Sequence, residues 1–403
     1  AIARYGIITD PSNNPQGSTL RSDQSNNTTL LLNVNFEGFG DLNKNQVSIG
    51  NYFNRVQNFG PTQALAQFVT SIFNLPDSSG LKSAYDSISP EVFSANTRSI
   101  YDKSSRFLDR LQTCNSNNKF MKFKEESCFW YDAASGQSTY NDTTEFLGYK
   151  NESAINSVGI QWKFKENNYW GVGLQDSSYS NAFSKVSTSI NGEGYQISST
   201  FKKLYKKFKF AFGLSYGSSS FKTERKNVFP LQTTSTSQTK YDHFSIRAQK
   251  SATISTKRYD IVPSVGLEWA QIYGEPFKEV GSGPLNLIVG STTNDFIKFS
   301  PSIQIKTELK NPNFVLIPQL RYGYNRFLNN SFPVKTKAKF EGAPTEVDYF
   351  SVTDNADKES HDLTIRVDFF SKESLRLNAQ YKTIYSANTY KNETSVGFIF
   401  RFD

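Results

Sequence analysis

The sequence has no long apolar run. Nowhere in its 403 residues does it approach the roughly 18 consecutive apolar residues that a membrane-spanning helix needs, which excludes a helical membrane protein. Histidine and cysteine appear twice each and methionine once. With two cysteines, and with His243 and His361 far from them and from each other in the chain, no zinc-ligand spacing can be assembled. A G-x-S-x-G turn, a phosphate-binding glycine loop, an H-E-x-x-H pair and a nucleophile close to a histidine are also missing, so neither catalysis nor a cofactor is expected. The net charge of +8 is carried by no dense Lys/Arg block. Nucleic acid is therefore not expected as a partner, and solvated loop charges account for the balance as well as attraction to anionic lipid does. Residues 1–9, AIARYGIIT, are too short and polar for a signal peptide, so either a leader has been removed or the chain is the back part of something longer.

What the sequence does hold is 34 Phe and 21 Tyr set among Ser, Asn, Thr and Lys, at a mean hydropathy of −0.53. That composition suits alternating strands and polar loops better than a thick apolar core. From about Phe129 onward, period-2 alternation recurs in twelve segments of roughly 10 to 15 residues, the mark of half-buried strands. In one, Phe208, Phe210, Phe212, Leu214 and Tyr216 oppose Lys209, Ala211, Gly213, Ser215 and Gly217. In another, Leu363, Ile365, Val367 and Phe369 oppose Asp362, Thr364, Arg366 and Asp368.

The connections carry separate information. KENN, LKNPN and SKES are short, whereas 221–238, 274–295 and 328–357 are long, and the two kinds alternate. This predicts an outer-membrane barrel with short periplasmic turns, longer outside loops, an even strand number and both barrel ends on the periplasmic side. A soluble β-sandwich also alternates, but its strands are usually nearer 5 or 6 residues and its loops are not sorted by length. Pro263 and Pro318 each remove a ladder hydrogen bond, so they are expected near a rim or at a bulge.

The front part reads differently. Residues 28–37 look like a strand or two, and TQALAQFVTSIF is helical by spacing until LPDSSG stops it. A second helix starts at Ser89, with Pro90 at its first position and Glu91 complementing the dipole, and runs to about Leu111, some 23 residues or about 34 Å. Phe93, Ile100, Phe107, Leu108 and Leu111 make a narrow apolar stripe, and Arg98, Asp102, Lys103, Arg106, Asp109 and Arg110 occupy the rest. A helix on a soluble core shows a wider apolar face. A mostly polar helix threaded through a polar lumen would look like this one, and a helix lying on a soluble domain is the alternative.

LNKNQVSIGNYFNRV, AYDSISPEVFSANTRSIYDKSSRFLDRL, FWYDAASGQ, INSVGIQWKFKENNYWGVGLQDSSYS, KAKFEGAPTEVDYFSV, LRLNAQYKTIY and SVGFIFRF, in that order and spacing, resemble the C-terminal translocator domain of autotransporters, the type V secretion proteins. The resemblance covers about residues 40–403 and includes counterparts of both strand prolines. It implies an all-β membrane protein, a twelve-stranded antiparallel transmembrane barrel in the outer membrane of a Gram-negative bacterium, with a helix through its lumen. It also implies export and surface anchoring of an N-terminal passenger. Residues 1–56 would be the surface-exposed, β-rich passenger end, 57–113 a helical linker with its pore helix at 89–111, and 129–403 the barrel.

Expected partners are outer-membrane lipids including lipopolysaccharide, the barrel assembly machinery and the chain's own passenger, with the barrel monomeric. Inward Glu268, Lys298, Lys306, Glu308, Arg321, Arg366, Asp368, Arg376 and Arg401 would line a wet lumen, some pairing with helix charges at Arg98, Asp102, Arg106, Asp109 or Arg110. In an oxidising periplasm Cys114 and Cys128 are expected to form a disulfide, two free thiols being the alternative. Some family members cut their linker after an asparagine, but Asn117-Asn118 follows the helix, where cleavage would not release a passenger, so self-cleavage is not expected. Phe398, Phe400 and Phe402 would form the lipid face of the closing strand and resemble the aromatic signal read by the assembly machinery, from which the trailing Asp403 departs. A porin or channel with a helical plug is the competing function.

Overall fold

In the computed structural model, the chain from residue 127 to residue 402 closes on itself as one antiparallel sheet. The structure describes residues 20–22, 28–30, 35–37, 40–59, 63–110, 114, 127–230, 232–311, 313–329, 334–354, 357–370 and 375–402. Its barrel strands are β1 Ser127–Tyr140, β2 Tyr149–Lys165, β3 Asn168–Phe183, β4 Thr188–Tyr205, β5 Phe208–Val228, β6 Thr233–Ala252, β7 Tyr259–Gly274, β8 Thr292–Thr307, β9 Phe314–Phe327, β10 Glu359–Phe370, β11 Leu375–Tyr385 and β12 Thr389–Phe402. Each pairs with the next, and β12 returns to β1 along its whole length, from Thr389 opposite Tyr140 to Phe402 opposite Ser127.

Alternation assigns the two faces. On β5, Phe208, Phe210, Phe212, Leu214 and Tyr216 are exposed on the outside, while Ala211, Ser215 and Ser219 are buried inside. On β12, Val396 and Phe400 are exposed and Ser395, Ile399 and Arg401 buried, so the terminal phenylalanines share the outer face, with the Phe398 ring 6.1 Å from that of Phe129 on β1. Among the described residues no helix is long and apolar enough to cross a membrane.

The prolines fall where the ladder is already interrupted. Pro263 lies between the Ser264–Ser251 pair and the Ile261–Ile254 pair, and Pro318 between the Lys306–Gln319 and Leu309–Leu316 pairs. Both gaps are close to the short-turn end. At each, one neighbour makes no ladder pair, so the missing N–H is not demanded there.

The loop lengths need correction. The long connection expected at 221–238 is mostly strand, because β5 runs to Val228 and β6 starts at Thr233. Beyond the apolar band the outward residues of β5 become Ser218, Ser220 and Lys222, which removes the hydrophobic contrast while the pairing continues. At the same mouth the β3–β4 and β11–β12 connections are only 184–187 and 386–388, so long and short loops do not alternate throughout.

The two long connections, 275–291 and 328–358, build a second sheet of four short strands, Phe277–Lys278, Leu287–Val289, Val334–Phe340 and Phe350–Asp354. Three helices, α1 Lys44–Asn58, α2 Gln63–Phe73 and α3 Ser78–Ile88, pack on it around Tyr52, Phe53, Phe68, Tyr85, Phe340 and Phe350. Asn43 and Gln46 cap α1 reciprocally. The boundary expected at residue 56 therefore falls inside α1, and the segment expected to be β-rich holds one small hairpin, Leu20–Ser22 with Thr28–Leu30, followed by that helix. The strand reading at 31–34 lies outside the described residues. LPDSSG does end α2, but Asp77 then caps α3, accepting from the Gly80 N–H at 2.8 Å, a helix the sequence reading did not place. The second expected helix divides into a 3-10 turn, Pro90–Phe93, and α4, Ser94–Arg110, with the Ser89 hydroxyl accepting from the Glu91 N–H at 3.2 Å; Leu111 lies outside the described residues.

Leu174, exposed on the outer face of β3, tests the assignment of faces. Leu174→Arg is expected to lower barrel stability by about 2–4 kcal/mol in lipid, measured by urea unfolding in liposomes; no loss would mean that this face does not meet hydrocarbon.

Candidate functional site

The lumen is threaded by α4. Ser99, near its start, hydrogen-bonds Asn151 at 3.2 Å and Asn181 at 3.4 Å, near the long-connection ends of β2 and β3. Ser104, midway, meets the Ser245 hydroxyl at 2.8 Å and accepts from the Gln196 amide at 3.0 Å. Arg110, at its end, donates to the Ser395 hydroxyl at 3.1 Å, towards the short-turn end. The helix thus runs from the long-connection mouth to the short-turn mouth, with all but two of its residues buried. Small residues allow the fit: a Cβ on Gly213 of β5 would stand 3.1 Å from Leu108 Cδ2.

Of the charged helix residues singled out in the sequence, Lys103 donates to the Ser153 hydroxyl, and the other five each meet an opposite charge. Arg98 pairs with Asp354 of the outer sheet, its Nη2 2.8 Å from Oδ1. Asp102 accepts from Lys391 and from the Tyr140 hydroxyl. Arg106 forks to Asp132 on β1 and Glu393 on β12, both at 2.6 Å, and so bridges the strands of the closing seam. Asp109 sits 2.8 Å from Arg247 on β6, and Arg110 shares Asp132.

The inward residues expected from sequence divide into two groups. Glu268 and Lys298 reach the helix through Ser105, at 2.9 and 2.6 Å, and Glu268 also lies 3.4 Å from Arg247. The others interact along the wall: Arg321 with Asp362, Arg366 and Arg376 with Asp368, Lys306 with Asp260, Glu308 with Lys310, and Arg401 over the Phe370 ring. Most of the helix seat consists of residues that sequence reasoning missed, namely Asp132, Arg247, Glu393, Lys391 and Asp354. For Glu393 and Lys391 the signal was present, since both share the inward parity of Ser395 and Arg401.

The lumen is not uniformly polar, contrary to expectation. Tyr101 stacks on Phe296 with centroids 4.6 Å apart, and Phe107 and Leu108 pack with Trp130, Ile399, Cys114 and Cys128. The narrow apolar stripe of α4 needs such cover if it is to leave water. Cys114 and Cys128 are joined as a disulfide, their Cα atoms 6.3 Å apart.

Above the membrane-spanning strands, Glu91 ties three parts together. Its carboxyl accepts from the Leu147 N–H of the β1–β2 connection at 2.7 Å and from the Asn45 amide of α1 at 2.8 Å. Burial pushes this carboxyl up to about 8, against the lowering effect of both hydrogen bonds.

A search of curated protein sequences finds no match. The family model described as the autotransporter β-domain matches residues 129–382, the barrel from β1 into β11. The chain belongs to the autotransporter β-domain family. Among solved structures, the translocator domain of autotransporter NalP from Neisseria meningitidis aligns over 76% of this chain and 98% of its own, with a TM-score of 0.61 at 15% identity. The transport unit of autotransporter AIDA-I from Escherichia coli aligns over 74% and 97%, with a TM-score of 0.54 at 9% identity. The β domain of the Bordetella autotransporter BrkA aligns over 68% and 99%, with a TM-score of 0.51 at 10% identity. At these identities the likeness is one of fold. This autotransporter barrel is an outer-membrane translocator, and its family implies a passenger.

Two predictions follow for the autotransporter helix and its surroundings. Arg106→Ala leaves Glu393 without its helix partner and Asp132 with Arg110 alone, and is expected to cost about 3–5 kcal/mol in denaturant unfolding, while raising single-channel conductance; unchanged stability and conductance would remove Arg106 from the seat. For Glu91, a folded value above the unfolded carboxyl value means that the stabilisation is fully present below about 4.5, its ordinary value, and is lost as pH rises through about 8. Thermal unfolding of the cap from pH 4.5 to 9 should show this decline, and Glu91→Gln should flatten it; an equal slope in the variant would contradict the assignment.

Proposed function

We propose that this barrel exports a passenger attached N-terminal to α1 and holds it at the cell surface, with α4 as the tether through the pore. The observation that carries this reading is the direction of α4, which leaves residues 44–93 at the mouth formed by the long connections. The same direction argues against a porin whose front part hangs in the periplasm. The chain before α1 serves as the passenger end and the segment from α1 to residue 113 as the linker, with the Cys114–Cys128 disulfide near the exit of the helix. The lumen charges Glu268, Lys298, Arg321, Arg366, Asp368 and Arg401 keep the channel wall wet enough for polypeptide to pass, and the helix charges then seat the tether.

The barrel acts as a monomer in contact with outer-membrane lipids including lipopolysaccharide, and it performs no catalysis. Phe398, Phe400 and Phe402 present its final strand to the barrel assembly machinery. Protease shaving of intact cells, with cleavage mapped by mass spectrometry, tests the orientation: cuts within residues 1–60 are expected, and protection of that segment until the outer membrane is permeabilised would contradict it. In the same cells, Phe398→Ala with Phe400→Ala is expected to reduce the assembled, heat-modifiable barrel several-fold.

A further inference from the structure

The outer face of the barrel is not evenly filled. Two residues in from the short-turn ends of β4, β5 and β6, Lys203, Phe210 and Lys250 stand side by side in register, all exposed on the outside, with Val265 of β7 next in the row. The following outward row lies two residues further from the turns, about 7 Å along the strands. From β3 to β8 it reads Trp170, Phe201, Phe212, Ala248, Leu267 and Phe299. Ala248 is the one small side chain in that row. Beside it a groove of about 380 Å³ opens to the outside, lined by Phe201, Phe210 and Phe212 on one flank, by Val265 and Leu267 on the other, and by Lys250.

Charge is stationed at one end of this groove. The Lys250 ammonium lies 5.0 Å from the ring centroid of Phe208 and 5.4 Å from that of Phe210, a cation over two aromatic faces on the outer surface. Lys203 stands on the far side of Phe210, two strand spacings or about 10 Å from Lys250 along the row. Among the described residues, the outward positions of β4–β7 on the short-turn side of Tyr195, Tyr216, Phe244 and Trp269 hold no Asp or Glu. The surrounding strands therefore offer these two lysines no opposite charge on the face they share. Lysines at the edge of an apolar band carry their charge at headgroup level, where anionic lipid attracts them. A zwitterionic headgroup brings a cation of its own and answers two ammonium groups less well than a headgroup of net negative charge.

We propose that this groove binds one anionic phospholipid, with an acyl chain laid over Ala248 and the phosphate held by Lys203 and Lys250. The aromatic walls and the single methyl at Ala248 supply the shape, and the two lysines supply the selection for charge. Short turns of outer-membrane barrels lie on the periplasmic side, so this rim meets the phospholipid leaflet and not the lipopolysaccharide of the surface. The proposal rests on the reading of the outer face as lipid-covered, and adds to it one lipid class at one place.

Native mass spectrometry of the purified full chain in detergent, titrated with dioleoylphosphatidylglycerol or dioleoylphosphatidylethanolamine, tests the proposal. One phosphatidylglycerol is expected to be retained about tenfold more tightly than phosphatidylethanolamine. Lys203→Gln with Lys250→Gln should remove that preference, and Ala248→Phe, which fills the groove and keeps both charges, should weaken retention of phosphatidylglycerol about tenfold. Heat-modifiable migration identifies folded protein in each preparation. Equal retention of the two lipids by folded wild-type chain, an unchanged preference in the folded double-lysine variant, or undiminished binding by folded Ala248→Phe would overturn the proposal. So would a mass of two chains that Ala248→Phe returns to one, which would give the groove to a second copy. Insertion of the wild-type chain into phosphatidylcholine liposomes separates the two failures: a chain that inserts but shows no preference loses only this site, whereas one that does not insert loses the lipid-covered face as well.

Discussion

Hydrocarbon offers no partner to a backbone N–H or C=O, and the pairing of β12 with β1 is where this chain meets that constraint. Eleven strand pairings form between neighbours in sequence or across a loop, but the twelfth joins the two ends of the barrel across some 260 residues. Once it forms, no edge is left to pair with another chain. The outer face can then be apolar and aromatic, and the inner face can be polar without meeting lipid. Aromatic contacts at Phe129, Tyr131 and Phe398 cover the seam from outside, while Arg106 spans it from inside through Asp132 and Glu393.

The buried ion pairs around α4 are better understood as positioning devices than as a reservoir of stability. Removing paired charges from water costs about as much as their attraction returns, but leaving one of them unpaired costs far more. A helix displaced by one turn, about 5.4 Å, would separate Arg106 from Asp132, Asp109 from Arg247 and Asp102 from Lys391 at once. Register is therefore specified by charge, while the stacking of Tyr101 on Phe296 and the packing of Phe107 and Leu108 supply apolar burial. Outside the membrane, the cap of α1–α3 and the four-stranded sheet closes over the long-connection mouth, and Glu91 ties that cap to α1 and to the β1–β2 connection.

Much of this was legible in the residues. Period-2 alternation located all twelve strands, and the narrow stripe on residues 93–111 favoured a helix in a polar lumen over one lying on a soluble domain. The ends of β5 and β6 were not legible, because Ser218, Ser220 and Lys222 face water rather than lipid and erase the contrast that marks a strand. Helix α3 was hidden by Asp77 and Gly80, which read as a stop although Asp77 is a cap. The seat of α4 was only half visible. Inward parity on β12 pointed to Glu393 and Lys391, but FWYDAAS on β1 sends Trp130 inward beside Asp132, so apolarity there did not distinguish the two faces. Asp354 lies on a short strand of a long connection, where no period reaches it.

Hydrogen exchange of the α4 amides in the intact, folded chain tests most directly whether a charged helix is locked inside a closed barrel. Amides of residues 98–110 should exchange as slowly as those at the centres of β3, β4 and β5. Exchange at the rate of an exposed helix, while the strands remain protected, would contradict the account.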